Sequence, residues 1–124
     1  HRPIWIDGAH NAHGAQALAK TLGQIDDGKW NIICGALNTR DPAEFLAPLA
    51  VLAGSVHCLA IPDQPASLSA AKMSDAALAQ GLDATPAASI ITAFDQLDPA
   101  YPIIICGSLY LAGHVLVQNK TLPN

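Results

Sequence analysis

Positive charge is scarce in this chain: six Lys and Arg stand against ten Asp and Glu, for a formal net charge of −4 over 124 residues. No helix-length segment gathers the basic residues into one face, which argues against a nucleic-acid backbone as partner. Small anions are not excluded, because backbone N–H groups at a strand-to-helix junction hold phosphate or carboxylate with little local charge. Aromatic residues are also few, two each of Trp, Tyr and Phe. A deep aromatic pocket is therefore not expected, and the abundant Ala suits helices packed closely on a sheet. The three cysteines, Cys34, Cys58 and Cys106, form no C-x-x-C pair and lie beside apolar runs. That pattern predicts buried free thiols in a reducing, cytoplasmic setting rather than a disulfide framework or zinc site. No apolar run reaches the roughly eighteen residues of a membrane span, and His1-Arg2-Pro3 does not open a signal peptide. Neither G-x-G-x-x-G nor G-x-x-x-x-G-K-[ST] occurs. The chain thus has no dinucleotide fingerprint and no phosphate loop of its own.

What is present is an alternation of short apolar runs with helical patterns. Ile4-Trp5-Ile6 reads as a buried strand within Pro3 to Ile6. Ala12, Ala15, Leu18, Ala19, Leu22 and Ile25 then recur at helical spacing until the Asp26-Asp27-Gly28 group. A second strand is expected at Asn31 to Cys34. Asp41-Pro42 opens a second helix, with Asp as N-cap and Pro at the first helical position, running on through Leu52 and Ala53 to near Gly54. Strand three is placed at Ser55 to Ile61, followed by a loop rich in proline at Pro62 to Ala66. Helices at Ser69 to Leu82 and Ala87 to Leu97 flank a stretch, Asp83 to Pro86, with room for a very short strand. The last strand is Pro102 to Cys106, and the last helix starts at Ser108 or Leu109 and runs toward Asn119. The pattern predicts one α/β domain with a mostly parallel sheet covered on both faces.

An internal echo sharpens the geometry. Ile32-Ile33-Cys34-Gly35-Ala36-Leu37 resembles Ile104-Ile105-Cys106-Gly107-Ser108-Leu109. If both strands run parallel to the first, the segments Asp7 to Asn11, Ala36 to Asp41 and Gly107 to Tyr110 emerge at one edge, where open α/β sheets bind ligands.

Several residues at that edge carry chemistry, each with a plainer alternative. His10 suits either ligand binding or a hydrogen bond to local backbone at the helix start. His10 and His13 share a helix-start face, but no third metal ligand stands at a recognisable spacing, and His13 suits an exposed helix position. Ser108 suits an anion site or a helix cap. Gly107-Ser108-Leu109-Tyr110-Leu111 is not the G-x-S-x-G elbow, which argues against a nucleophilic serine. Arg40 is either an isolated surface cation or a fork for phosphate or carboxylate.

Three segments together carry a resemblance. Asp7-Gly8-Ala9-His10-Asn11, Gly35-Ala36-Leu37-Asn38-Thr39-Arg40-Asp41-Pro42 and Ile105-Cys106-Gly107-Ser108-Leu109-Tyr110-Leu111-Ala112-Gly113 resemble the C-terminal domain of bifunctional folylpolyglutamate synthase/dihydrofolate synthase, a branch of the Mur ligase superfamily. The resemblance spans nearly the whole chain. It implies a three-layer Rossmann-like domain with five or six strands. It further implies an enzyme that uses ATP and Mg²⁺ to phosphorylate a folate or dihydropteroate carboxylate, after which the amine of L-glutamate attacks the acyl phosphate. The phosphate loop and most metal ligands would lie in a larger N-terminal domain that precedes residue 1, together with a linker arginine. This chain alone would then be inactive.

By the same resemblance, Asp7 matches a nucleotide-contacting aspartate, and His10 and Ser108 match motif residues implicated in glutamate placement or domain closure. Arg40 stands where the family often has Lys and keeps the charge. Asn11 and Tyr110 belong to the motifs and are assigned to loop bonding and packing. Ala12 and His114 replace a common Pro and Glu, and neither is assigned to ligand contact.

Overall fold

The computed structural model describes the backbone of residues 3–121 and the side-chain surroundings of residues 3–116; His1 and Arg2 lie outside the described residues. Five strands, β1 (Ile4–Ile6), β2 (Trp30–Cys34), β3 (Ala53–Cys58), β4 (Ala84–Pro86) and β5 (Ile103–Cys106), alternate with five helices. These are α1 (Ala12–Ile25), α2 (Pro42–Leu49), α3 (Ala70–Ala79), α4 (Ile90–Asp95) and α5 (Leu109–Thr121). The strands form one sheet in the order β1-β5-β2-β3-β4, and all four pairings are parallel. This is the expected α/β class with five strands.

Two cores cover the two faces. Leu18 and Leu22 of α1, Phe45, Leu46 and Leu49 of α2, and Met73 and Ala77 of α3 pack on Ile32, Val56 and Ile104. On the other face Ile90 and Ala93 of α4 and Leu111 and Val115 of α5 pack on Ile33, Ile103 and Ile105. Successive strand residues alternate between these faces, so Ile104 serves one core and its neighbours the other. Strands β2 and β5, buried at every position, lie centrally, where neighbouring strands flank both edges and helices cover both faces. Their repeated sequences pair in register, Ile32 with Ile104, Ile33 with Ile105 and Cys34 with Cys106.

Several expected boundaries move, each for a local reason. The stretch Ile4-Trp5-Ile6 is not a buried strand: β1 pairs with β5 alone and leaves Ile4 and Trp5 about two-fifths exposed, at 42% and 41%. Apolarity reports a strand's hydrophobicity but not whether a neighbour lies on each side. Helix α2 stops at Leu49, and Ala53 already belongs to β3, because Leu52 N–H bonds to the Leu49 carbonyl in a tight turn. Strand β3 ends at Cys58 rather than Ile61; beyond it the chain folds back and Ile61 N–H takes the Ser67 hydroxyl. Helix α4 is shorter than the apolar pattern because Ser89, accepting from Thr92 N–H, caps it three residues late. Helix α3 ends at Ala79, and Gly81 then takes φ +78°. The short strand between α3 and α4 is formed by Ala84–Pro86.

Candidate functional site

The topology opens a crevice beside β5. The chain leaves β1 and β2 toward helices on one face of the sheet, α1 and α2, whereas it leaves β5, which lies between them, toward α5 on the other. Loops that diverge from adjacent strand ends open a gap at the C-terminal edge, the usual ligand position in such sheets. Here β5 has a diverging neighbour on each side.

Backbone bonds tie the three loops together. Asp7 N–H donates to Ile105 O and Gly107 N–H to Ala9 O, at 2.9 and 2.8 Å. Gly107 takes φ +104°, and a Cβ there would fall on the Gly35 carbonyl oxygen, so the β5 and β2 loops touch through bare backbone. Gly35 in turn sits so close to β3 that a Cβ would lie 2.6 Å from Leu59 O. Only glycine permits both the left-handed backbone at 107 and this approach. The far side of the β2 loop is held by Asn38 N–H to Ala66 O and Leu68 N–H to Ala36 O.

The result is a cleft of about 200 Å³ whose polar lining comprises His10, Thr39, Arg40, Asp41 and Ser108. Leu37, Pro42, Phe45, Leu109 and Tyr110 supply its apolar wall. His10, Arg40, Ser108 and Tyr110, from three separate motifs, therefore meet at one cleft. Asp7 and Asn11 do not line it. Asp7 stands exposed on the same edge with its Oδ1 accepting Ala9 N–H at 2.7 Å. Asn11 caps α1, its Oδ1 accepting Gly14 N–H at 2.8 Å, and Ala12 follows as the first helical residue.

Local hydrogen bonds set the chemical state of the lining residues. His10 Nδ1 lies 3.0 Å from the Gly8 carbonyl. A carbonyl only accepts, so Nδ1 carries the proton and the neutral ring keeps its lone pair on Nε2. Ser108 Oγ accepts from Tyr110 and Leu111 N–H at 3.0 and 3.3 Å, which caps α5 and leaves the hydroxyl proton to donate elsewhere. Asp41 Oδ1 accepts Ala43 N–H at 3.0 Å and starts α2 as the sequence implies. Arg40 is exposed, and Tyr110, 56% exposed, lines the cleft. Thr39, Asp41, Phe45 and Leu109 were not singled out as site residues, although each lies in or beside a flagged loop.

The edge does not fit a metal cluster. Among the described residues no three His, Cys, Asp or Glu side chains stand together as metal ligands. The three thiols lie in a row across β3, β2 and β5, fully buried and unpaired. The hydrogen bond with Cys58, followed by burial, pushes the Cys34 thiol well up; burial, then the Asp7 charge, pushes Cys106 up. Thiols held protonated in this way are not nucleophiles at neutral pH.

Residues 1–109 match the family described as Mur ligase, glutamate ligase domain. The chain belongs to that family. It is 33% identical over 115 residues to the folylpolyglutamate synthase of Lacticaseibacillus casei, covering 90% of this chain and 26% of that protein. The Mycobacterium tuberculosis folylpolyglutamate synthase, solved with ADP and AMPPCP, superposes with a TM-score of 0.85 at 27% identity, over 98% of this chain and 30% of its own. A bifunctional folylpolyglutamate synthase/dihydrofolate synthase solved with Mn, AMPPNP and L-glutamate gives 0.78 at 27%, over 92% of this chain and 28% of its own. The Mur ligase domain therefore spans between a quarter and a third of the relatives it matches.

Proposed function

We propose that this Mur ligase domain supplies one wall of the active site of an ATP-dependent ligase that joins L-glutamate to dihydropteroate or folate. The cleft is the observation that carries the reading. Complete small-molecule sites enclose roughly 300–1,000 Å³, and the smaller cleft here brings together a cation, an imidazole and a hydroxyl on rigidly tied loops. Such a wall becomes a closed site when a second domain is laid over it. The names of the relatives, with nucleotide and glutamate in their solved complexes, support the same reading.

In this reading the triphosphate and Mg²⁺ are held by an upstream phosphate-loop domain, since the residues here do not fit a metal site. ATP converts the folate or pteroate carboxylate to an acyl phosphate. The amine of glutamate attacks it, the amide bond forms, and inorganic phosphate leaves. Arg40 pairs with a carboxylate of the incoming glutamate, a geometry its planar fork favours. His10, with Nε2 unprotonated when neutral, accepts a proton from the glutamate ammonium and leaves the free amine to attack. Ser108 donates its remaining proton to the same substrate, and Asp7, outside the cleft on the same edge, contacts the nucleotide ribose.

The assignment is tested by steady-state kinetics on the chain joined to its upstream domain. Asp7→Ala should raise KM for ATP, whereas Arg40→Ala should raise KM for glutamate, each about tenfold or more for a lost charged hydrogen bond. His10→Ala should mainly lower kcat. A panel of amine donors in which another amino acid outperforms glutamate would redirect the reading to a different Mur-type ligase. A chain that binds a protein or anion yet supports no ADP release when joined would make it a binding module.

A further inference from the structure

Away from the cleft, a polar cluster lies inside the sheet. Asn31 of β2 and His57 of β3 are buried, at 0% and 3% exposure, and Ser55 stands between them. Asn31 and Ser55 are register partners, and His57 follows Ser55 on the same face. The cluster reaches Gln96, which caps the C-terminus of α4, and the turn from Asp98 to Tyr101 that leads into β5.

The backbone determines where each proton in this cluster resides. Asn31 Nδ2 donates to the Asp98 and Tyr101 carbonyls at 2.8 and 3.0 Å, and Asn31 Oδ1 accepts Asp98 N–H at 3.0 Å. Carbonyls cannot donate and an amide N–H cannot accept, so the Asn31 amide has one orientation. Ser55 Oγ lies 2.5 Å from Asn31 Oδ1 and must donate its only proton there. Its contact with His57 Nε2, at 2.8 Å, then requires Nε2–H as the donor. Neutral His57 is therefore the Nε2–H tautomer, with Nδ1 bare.

Bare Nδ1 meets Gln96 Oε1 at 3.3 Å, acceptor against acceptor, while Gln96 Nε2 donates to the Pro86 carbonyl at 3.4 Å. Two arrangements remove the conflict. A proton on Nδ1 makes the present orientation correct. Alternatively the Gln96 amide turns over, donates to bare Nδ1, and releases Pro86. Gln96 is exposed, so its amide can turn in water and a solvent proton can reach the ring beneath it.

We infer that His57 and Gln96 form a proton-linked switch. Neutral His57 holds the Gln96 NH₂ group; protonated His57 holds the Gln96 carbonyl and frees the NH₂ group to bind Pro86, tying the end of β4 to the end of α4. One N–H bond forms at Nδ1 as an O–H bond of a solvent hydronium breaks, and otherwise only the Gln96 hydrogen bonds exchange.

The surroundings set its direction. The register neighbours of His57, Ile33 of β2 and Thr85 of β4, do not titrate. Burial lowers the pKa, opposed by the Gln96 hydrogen bond and then by the charge of Asp83 at the start of β4. The Asp98 carboxylate, in the turn below, accepts Ala100 N–H, and the Tyr101 phenol belongs to the same turn. Burial dominates, so the switch turns on acidification.

Nitrogen-15 NMR of the histidine rings in the 124-residue chain, across a pH titration, tests the inference. The expected result is a neutral Nε2–H tautomer for His57 and a Gln96 side-chain amide resonance that moves at the His57 midpoint. Gln96→Glu, which places a carboxylate against Nδ1, should raise that midpoint by about one unit or more. Gln96→Met should lower it. A neutral Nδ1–H tautomer, a Gln96 resonance indifferent to the His57 midpoint, or a midpoint moved by less than about 0.3 unit in Gln96→Glu would overturn it.

Discussion

Replacing Gly107 by Ala should separate two of the loops that build the cleft. At φ +104° an L-residue lies outside the allowed regions of the backbone map, which costs about 1–3 kcal/mol. The new Cβ would also fall on the Gly35 carbonyl oxygen, and that backbone is held in turn by its close contact with Leu59 O. No flexible side chain is available to move aside, so about 1 kcal/mol more is expected for displacing packed main chain. The sum is about 2–4 kcal/mol, or a fall of about 1–2 M in the urea midpoint at a slope near 2 kcal/mol/M. Gly23→Ala is the matched control: the site lies within α1 and nothing stands within 4 Å of the added Cβ. There Ala should stabilise by about 0.5–1 kcal/mol. Urea unfolding followed by circular dichroism measures both. A Gly107→Ala change smaller than about 0.5 kcal/mol, with the Gly23→Ala control behaving as stated, would refute the argument that these loops meet through bare backbone.

Asn31→Ala should cost about 3 kcal/mol, because it removes bonds to Asp98 and Tyr101 and leaves buried groups without partners; urea unfolding reads this directly. The His57 pKa is lowered from its ordinary 6.5, so the unfolded chain protonates first as pH falls. Its contribution is present above that value and is lost as pH drops through the folded pKa, with a slope of at most about 1.4 kcal/mol per pH unit. His57→Gln should remove that part of the pH dependence. The buried thiols Cys34, Cys58 and Cys106 should be silent to a thiol reagent in the native chain and react fully in denaturant. A thiol that reacts at the native rate of a free cysteine would contradict their placement.

What was legible in the sequence followed from repetition and from caps. The echo between residues 32–37 and 104–109 marked two strands in the same environment, and they are register partners. The Asp41-Pro42 start of α2 was readable because its capping is local. Sheet order was less accessible. Ile4-Trp5-Ile6 has the composition of a central strand, but its position at the sheet edge depends on β5, about a hundred residues away. The cluster of Asn31, Ser55, His57 and Gln96 was hidden for the same reason, since three separate elements, β2, β3 and the end of α4, contribute to it. The one local hint was Ser55 and His57 two apart in a strand, hence on one face. At the cleft, the motifs indicated which loops would meet. They did not reveal that Asp7 lies outside the cleft or that Tyr110 is exposed, because both depend on how α5 leaves β5.

The most direct test of the proposed ligase role is ADP release by the chain joined to the proposed upstream phosphate-loop domain, measured with each co-substrate omitted in turn. The account predicts continuous release, beyond one ADP per enzyme, only when ATP, a pteroate or folate carboxylate and L-glutamate are all present, and none from the 124-residue chain alone. ADP release that continues without both the folate and the glutamate would contradict it.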